Sequence, residues 1–253
     1  MSETGKYIYC IVASSQERNF GPIGIGGEEN EVMTISYENL SMVVSDHPLS
    51  KFVLKPETIL AHEKVIEAVM KEYSGILPVK FGTVAKNADE IRDFLDRRYR
   101  EFMDFLKYFE NKIELNVKCE WKSMNEVFHE IGGEHEDLKE KLLANEDGVD
   151  KETMIQVGKI VEEELMKKRE EVSDTVLNAL RKIAVDYKVN TNSNEKTFLN
   201  IAFLVDSGRE KEFDGVVDDL YEEFGGKVHF SYAGPFPPYN FVDIVIYPEN
   251  WEL

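Results

Sequence analysis

The sequence predicts an α+β protein of two domains, each an antiparallel-rich sheet with helices on one face. Three observations carry that expectation. Short runs dense in β-branched and aromatic residues are bounded by Gly, Pro, Asn and Asp. Between them lie stretches whose apolar residues recur three or four apart. Three of these open with a capping pair: Asn87 with Glu90, Ser123 with Glu126, and Ser207 with Glu210. The chain has 253 residues, 42% of them hydrophobic, which is enough for two ordinary cores.

In chain order, Lys6–Ala13 (KYIYCIVA) is a buried strand, 21–27 (GPIGIGG) a flexible loop, and 31–45 two short strands turning near Glu38-Asn39. A helix opens at Pro56, which suits a first turn, and Ile59, Leu60, Val65, Ile66, Val69, Met70 and Tyr73 form its apolar stripe. Residues 76–85 (ILPVKFGTVA) are strand-like but broken by Pro78 and Gly82. A second helix is expected from Asn87 to about 109, with Ile91, Leu95, Phe102, Phe105 and Leu106 inward. KIELNVKCEW (112–121) alternates. Ile113, Leu115, Val117, Cys119 and Trp121 point to a core, and Glu114, Asn116, Lys118 and Glu120 to solvent. The helix after Ser123 is expected to break at Gly132-Gly133. The longest helical pattern runs from about Lys151 to Tyr187, with a seam at near-heptad spacing. Together these read as an antiparallel hairpin projecting from a sheet. After a polar turn at 189–196 come a strand (TFLNIAFLV) and a helix capped by Ser207 and Glu210. That helix is expected to end left-handed at Gly225-Gly226. KVHFSYAG and NFVDIVIY are the last two strands. The expected domains are 1–110, an N-terminal α/β domain, and 111–253, a C-terminal ferredoxin-like domain with a helical insertion at about 123–188.

Charge narrows the partners. Forty-nine acidic against 30 basic residues give a net charge of −19, which repels phosphate backbones and anionic lipid. Nucleic acid and membrane are therefore not expected partners, whereas a basic or apolar protein is. Cys10 and Cys119 are far apart and form no CxxC pair, so a reducing cytoplasm fits better than a disulfide framework. The N-terminus reads as a strand rather than a signal peptide, and no apolar run reaches the roughly 20 residues of a membrane helix.

Catalytic and metal signatures are incomplete. His62-Glu63 begins like a zinc-binding helix, but Ile66 stands where the second His is needed, so a surface or domain-contact histidine is expected. His129, Glu130, Glu134, His135 and Glu136 cluster without a recognised ligand spacing. Gly21, Gly24, Gly26 and Gly27 miss both nucleotide-loop fingerprints. No nucleophile elbow is present. The expectation is no enzyme, no cofactor and no metal.

Two stretches carry more. Pro78 and Gly82 punctuate LPVKFGTVA as an edge strand or bend, and edges accept partners. GPFPPYNF (234–241) cannot be a two-residue hairpin turn. Pro237-Pro238 is stiff, and each proline holds the residue before it extended. Its aromatics either plug a domain core or form a presented surface.

Three segments, YIYCIV, HEKVIEAVM followed by ILPVKFGTV, and GPFPPYNFV, stand here in the order and spacing of the gas vesicle accessory protein F/L family, which the chain resembles from about Lys6 to Tyr247. The family typically reads Gly-Pro-Trp-Pro-Pro-Tyr-x-Phe. This chain keeps Gly234, Pro235, Pro237, Pro238, Tyr239 and Phe241, with Phe236 in place of Trp. In the middle motif Lys80 stands where Arg is common, and an ammonium does not make the two-pronged bond of Arg. The resemblance implies a non-enzymatic assembly or minor structural component of gas vesicles. Its expected partners are the hydrophobic major shell protein and other accessory proteins, and its expected location is the cytoplasm and the vesicle. Expected contact residues are Pro78, Lys80, Phe81, Gly82, Thr83, Gly234, Pro235, Phe236, Pro237, Pro238, Tyr239 and Phe241. The alternative class is a ferredoxin-like sensor or small-molecule-binding module with a ligand between domains. A metal-dependent enzyme using His129 and His135 is the third.

Overall fold

A computed structural model of the chain describes residues 4–26, 30–49, 55–135, 151–191 and 196–244. Met1–Glu114 with Pro235–Leu253 form one compact unit, and Leu115–Gly234 form another.

The first unit is organised by β1 (Thr4–Ala13), whose run of aromatic and β-branched side chains is buried from Tyr7 to Val12. It joins β2 (Asn19–Gly21), β3 (Val32–Tyr37), β4 (Leu40–Pro48), β5 (Ile76–Pro78) and β6 (Val84–Ala85) in the order β2-β3-β4-β1-β5, with β6 also on β1. One side of β1 pairs antiparallel with β4 along its length. The other side holds β5 at Cys10–Val12 and β6 at Lys6–Tyr7. The β3–β4 turn places Glu38 at φ +51°, near where the sequence put it.

Helix α1 (Pro56–Met70) packs on one face of this sheet, with Val65, Ile66 and Val69 against Tyr7, Tyr9, Cys10 and Val12. Two further helices, α2 (Ala88–Arg97) and α3 (Tyr99–Phe109), contribute Ile91, Leu95, Phe102, Leu106 and Phe109 to the core outside that cluster. The expectation of helices on one face is thus corrected here, because β1 is buried on both sides. A bulge between Ile8 and Cys10 leaves Tyr9 unpaired with β4. The extra residue resets the alternation, so Tyr7, Tyr9, Cys10 and Val12 all face α1.

Asn87 caps α2 as expected, accepting the Glu90 amide at 3.0 Å. The single helix predicted to about residue 109 is instead two. Arg98 leaves helical geometry (φ −114°, ψ 18°), places its guanidinium over Phe94 and Phe102, and binds Glu101 through two nitrogens.

The second unit carries most of a four-stranded sheet ordered β10-β7-β9-β8: β7 (Lys112–Trp121), β8 (Asp186–Val189), β9 (Thr197–Asp206) and β10 (Val228–Phe236). Its helices are α4 (Met124–Glu134), α5 (Lys151–Leu180) and α6 (Glu210–Phe224). The alternation read for β7 is present at every odd position, but Glu114 is fully buried rather than solvated. Ser123 caps α4, accepting the Glu126 amide. The helix continues through Gly132-Gly133, where added side chains would meet open space, so the predicted break is absent. Glu130 and Glu134 both meet Lys168, and His135 lies near Glu164, so α4 and α5 run antiparallel. The predicted long helix stops at Leu180. Tyr187 belongs to β8, at the end of the region assigned to the insertion. Ser207 starts a 3-10 turn instead of capping α6. Gly225 is right-handed (φ −61°), so the left-handed stop is also corrected. NFVDIVIY is no strand between Asn240 and Ile244, and its remainder lies outside the described residues.

Among the described residues no helix is long and apolar enough to cross a membrane.

Candidate functional site

The first motif fills the gap between β5 and β6 on the edge of β1. Val79 donates to the Tyr9 carbonyl at 3.1 Å, and the Ile8 amide donates to the Thr83 carbonyl at 2.9 Å. Between them Lys80–Thr83 make a tight turn. The Thr83 amide and hydroxyl both reach the Lys80 carbonyl, at 3.2 Å and 2.6 Å. Gly82 sits at φ +85°, which the third position of a type II turn requires and side chains disfavour. Pro78 is buried and costs the sheet no bond at this edge. The exposed Lys80 and half-buried Phe81 project from the turn.

The second motif divides in two. Gly234, Pro235 and Phe236 end β10, with Gly234 at φ +142°, a conformation that favours glycine. Pro237–Phe241 then turn sharply. The Pro238 carbonyl accepts the amides of Phe241 and Val242, each at 3.0 Å. Pro237 and Pro238 are buried, Phe236 and Phe241 are half-buried, and Tyr239 is 39% exposed. Buried Glu114 clamps this turn. One carboxylate oxygen accepts the Asn240 amide at 2.7 Å, and the other accepts its side-chain NH2 at 2.6 Å.

The two motifs meet α1 at a cleft of about 550 Å³. Pro78, Lys80, Phe81 and Tyr239 line it, four of the twelve sequence-predicted contact residues. Gly82 and Thr83 shape its turn, Pro237 and Pro238 support Tyr239, and Gly234 and Pro235 lie exposed on β10 away from the lining. The sequence reading missed the contribution of α1: Ile59, His62 and Glu63. His62, expected at a surface or a domain contact, is 4% exposed. The available signal was its phase, since Ile59, His62, Ile66 and Val69 fall on one helical stripe.

The floor of the cleft is aromatic. His62 lies 5.2 Å from Phe81 and 5.3 Å from Tyr9 between ring centres, and its Nδ1 is 3.0 Å from the Tyr7 hydroxyl. That hydroxyl accepts the Gly82 amide at 3.1 Å, joining the floor to the motif turn. Burial pushes His62 down to about 4, so it is neutral at pH 7. Burial raises the hydroxyls of Tyr7 and Tyr239, so both stay protonated. The floor therefore offers neutral hydrogen-bonding rings, while exposed Lys80, Glu63 and Asp243 stand at the lining with mixed charge. This chemistry suits docking of an apolar or aromatic group.

The other sequence candidates lie elsewhere. Glu130 binds Lys227 through both oxygens at 2.9 Å, and Glu134 binds Lys168 at 2.9 Å. His129 is exposed, and Glu136 lies outside the described residues. Among the described residues no three His, Cys, Asp or Glu side chains are placed to hold a metal ion. Burial raises both thiols, Cys119 to about 12. The glycine loop is tied to the sheet, with the Ile25 amide donating to the Tyr9 hydroxyl at 2.8 Å, and Gly27 lies outside the described residues.

Comparison with known proteins places this geometry. The family described as gas vesicle synthesis protein GvpL/GvpF matches residues 5–243. Gas vesicle protein F1 of Halobacterium salinarum is 27% identical over 246 residues, covering 96% of this chain and 95% of that protein. Gas vesicle protein F of a Streptomyces species is 28% identical over 246 residues, covering 94% and 99%. The crystal structure of gas vesicle protein GvpF from Anabaena sp. superposes with a TM-score of 0.83 at 22% identity, covering 96% of this chain and all of that one. That of Microcystis aeruginosa GvpF gives 0.77 at 20% identity, covering 95% and 99%. The α+β fold with antiparallel sheets is therefore shared.

Proposed function

Because the chain belongs to the GvpL/GvpF family of gas vesicle synthesis proteins, its role is gas-vesicle related, and we propose that it binds the hydrophobic major shell protein and other accessory proteins while the vesicle is built. One observation supports this reading: two motifs about 150 residues apart converge with α1 on a single aromatic cleft. An apolar shell segment inserts a side chain over His62, Phe81 and Tyr239. The acidic body, net −19, keeps the complex dispersed in the cytoplasm until the subunit is added. No catalytic step is involved. In the same reading the units are two domains, the chain leaving the first after Glu114 and returning to it at Pro235. The order β10-β7-β9-β8, with helices after β7 and β9, is a ferredoxin-like arrangement with α4 and α5 as its helical insertion.

Co-expression with the major shell protein tests the proposal. Wild type should raise the soluble shell fraction and co-purify with it. A Tyr239→Ala/Lys80→Glu variant that keeps its circular dichroism spectrum should do neither. Equal co-purification by this variant, or no effect of wild type on shell solubility, overturns the assignment.

A further inference from the structure

The second unit holds a surface unrelated to the cleft. Strand β8 is the last strand of its sheet, and among the described residues no other strand pairs with its outer side. Its four residues are exposed. Val185, Tyr187 and Val189, at alternate positions, leave 45%, 38% and 68% of their surface open.

The backbone direction is fixed by the register. Asp186 faces Leu204 and Lys188 faces Ala202, and one step further the Asn190 amide donates to the Asn200 carbonyl at 2.8 Å. Bonded pairs recur every second residue in an antiparallel ladder, so the even positions bond inward to β9. Tyr187 and Val189 therefore turn their amides and carbonyls outward. In agreement, the Tyr187 amide donates to the Asp186 carboxylate at 2.8 Å.

We propose that β8 pairs antiparallel with β8 of a second copy of this chain, about a two-fold axis at Tyr187. In this register Tyr187 faces Tyr187, and Val185 faces Val189. The backbone groups of Tyr187 and Val189 point outward, so their ladder bonds form without a shift, while the Val185 amide stays with the Leu204 carbonyl at 2.8 Å. The same register sets Asp186 opposite Lys188 of the second copy, twice by symmetry, an opposite-charge pairing that a slip by one or two residues loses. The Asp186 carboxylate releases the Tyr187 amide to the facing carbonyl and turns to the facing ammonium. The apolar row becomes a cross-strand cluster. An interface of this length is small, so the association is weak and concentration-dependent.

Sedimentation of the full chain across a concentration series tests this. Wild type should pass from monomer to dimer. Asp186→Lys or Lys188→Asp alone sets like charges face to face and should weaken the dimer about tenfold or more. The Asp186→Lys/Lys188→Asp double variant restores both pairs and should recover wild-type association. Tyr187→Cys should form a disulfide-linked dimer under mild oxidation, because the facing Cα atoms lie about 5.5 Å apart. Wild type that stays monomeric throughout, a dimer indifferent to the single swaps, or a double variant no better than the singles overturns the proposal. None of these outcomes depends on shell binding at the cleft.

Discussion

Replacing Glu114 by Gln is the sharpest test of how the second motif is held. The side chain keeps its shape but loses one of its two acceptor oxygens. In its place an NH2 group faces either the Asn240 amide or the Asn240 side-chain NH2, donor against donor, at sites now 2.7 Å and 2.6 Å long. A hydrogen bond to a charged acceptor is worth about 1.5–3 kcal/mol, so about 2 kcal/mol is lost from the clamp. Amide exchange at the turn reads this loss directly. Phe241 and Val242 both donate to Pro238, and their protection depends on the turn staying closed. A loss of about 2 kcal/mol should speed their exchange about 30-fold while the amides of β1 change little. Unchanged exchange at Phe241 and Val242 would refute the claim that Glu114 holds this turn.

Other outcomes follow from the same geometry. His62 is neutral when folded, with a value lowered to about 4 against 6.5 unfolded, so the unfolded chain binds the extra proton between those values. Stability is then full above about pH 6.5 and falls as pH drops toward 4. This group alone contributes about 2 kcal/mol less at pH 5 than at pH 7, and urea titrations of wild type and His62→Phe should differ by that slope. Gly82→Ala places a Cβ at φ +85° and should cost about 1–2 kcal/mol in the same titrations. Phe102→Ala removes a fully buried ring beneath the Arg98 guanidinium and should cost about 3–5 kcal/mol, whereas Phe105→Ala, 36% exposed, should cost about 1 kcal/mol.

Local signals read well where one physical cause dominates. Pro56 opens α1, Asn87 and Ser123 cap α2 and α4, and the punctuation of ILPVKFGTVA marks an edge divided by a turn. What escaped was set by distant residues. Every residue from Tyr7 to Val12 is apolar, so no alternation records the bulge at Tyr9. Glu114 stands where an alternating strand turns to water, and the Asn240 that makes its burial tolerable lies 126 residues away. His62 is polar by residue type, yet its phase on α1 places it with Ile59, Ile66 and Val69. The cleft was thus half legible, since its motif side carried proline and glycine and its helix side carried only a position in a stripe.

The discontinuity of the first unit also has a consequence in time. The ribosome delivers residues 1–114, then the whole of 115–234, and only afterwards the segment that returns to the first unit. Until Asn240 emerges, Glu114 has no clamp to make, and the cleft lacks Tyr239, Val242 and Ile244. A nascent or prematurely terminated chain therefore presents β1 and α1 without the complete cleft. Under the docking role proposed above, the cleft acts as a completion signal: its lining is assembled only in molecules synthesised past residue 244, so partners recruited there engage those molecules and pass over shorter fragments.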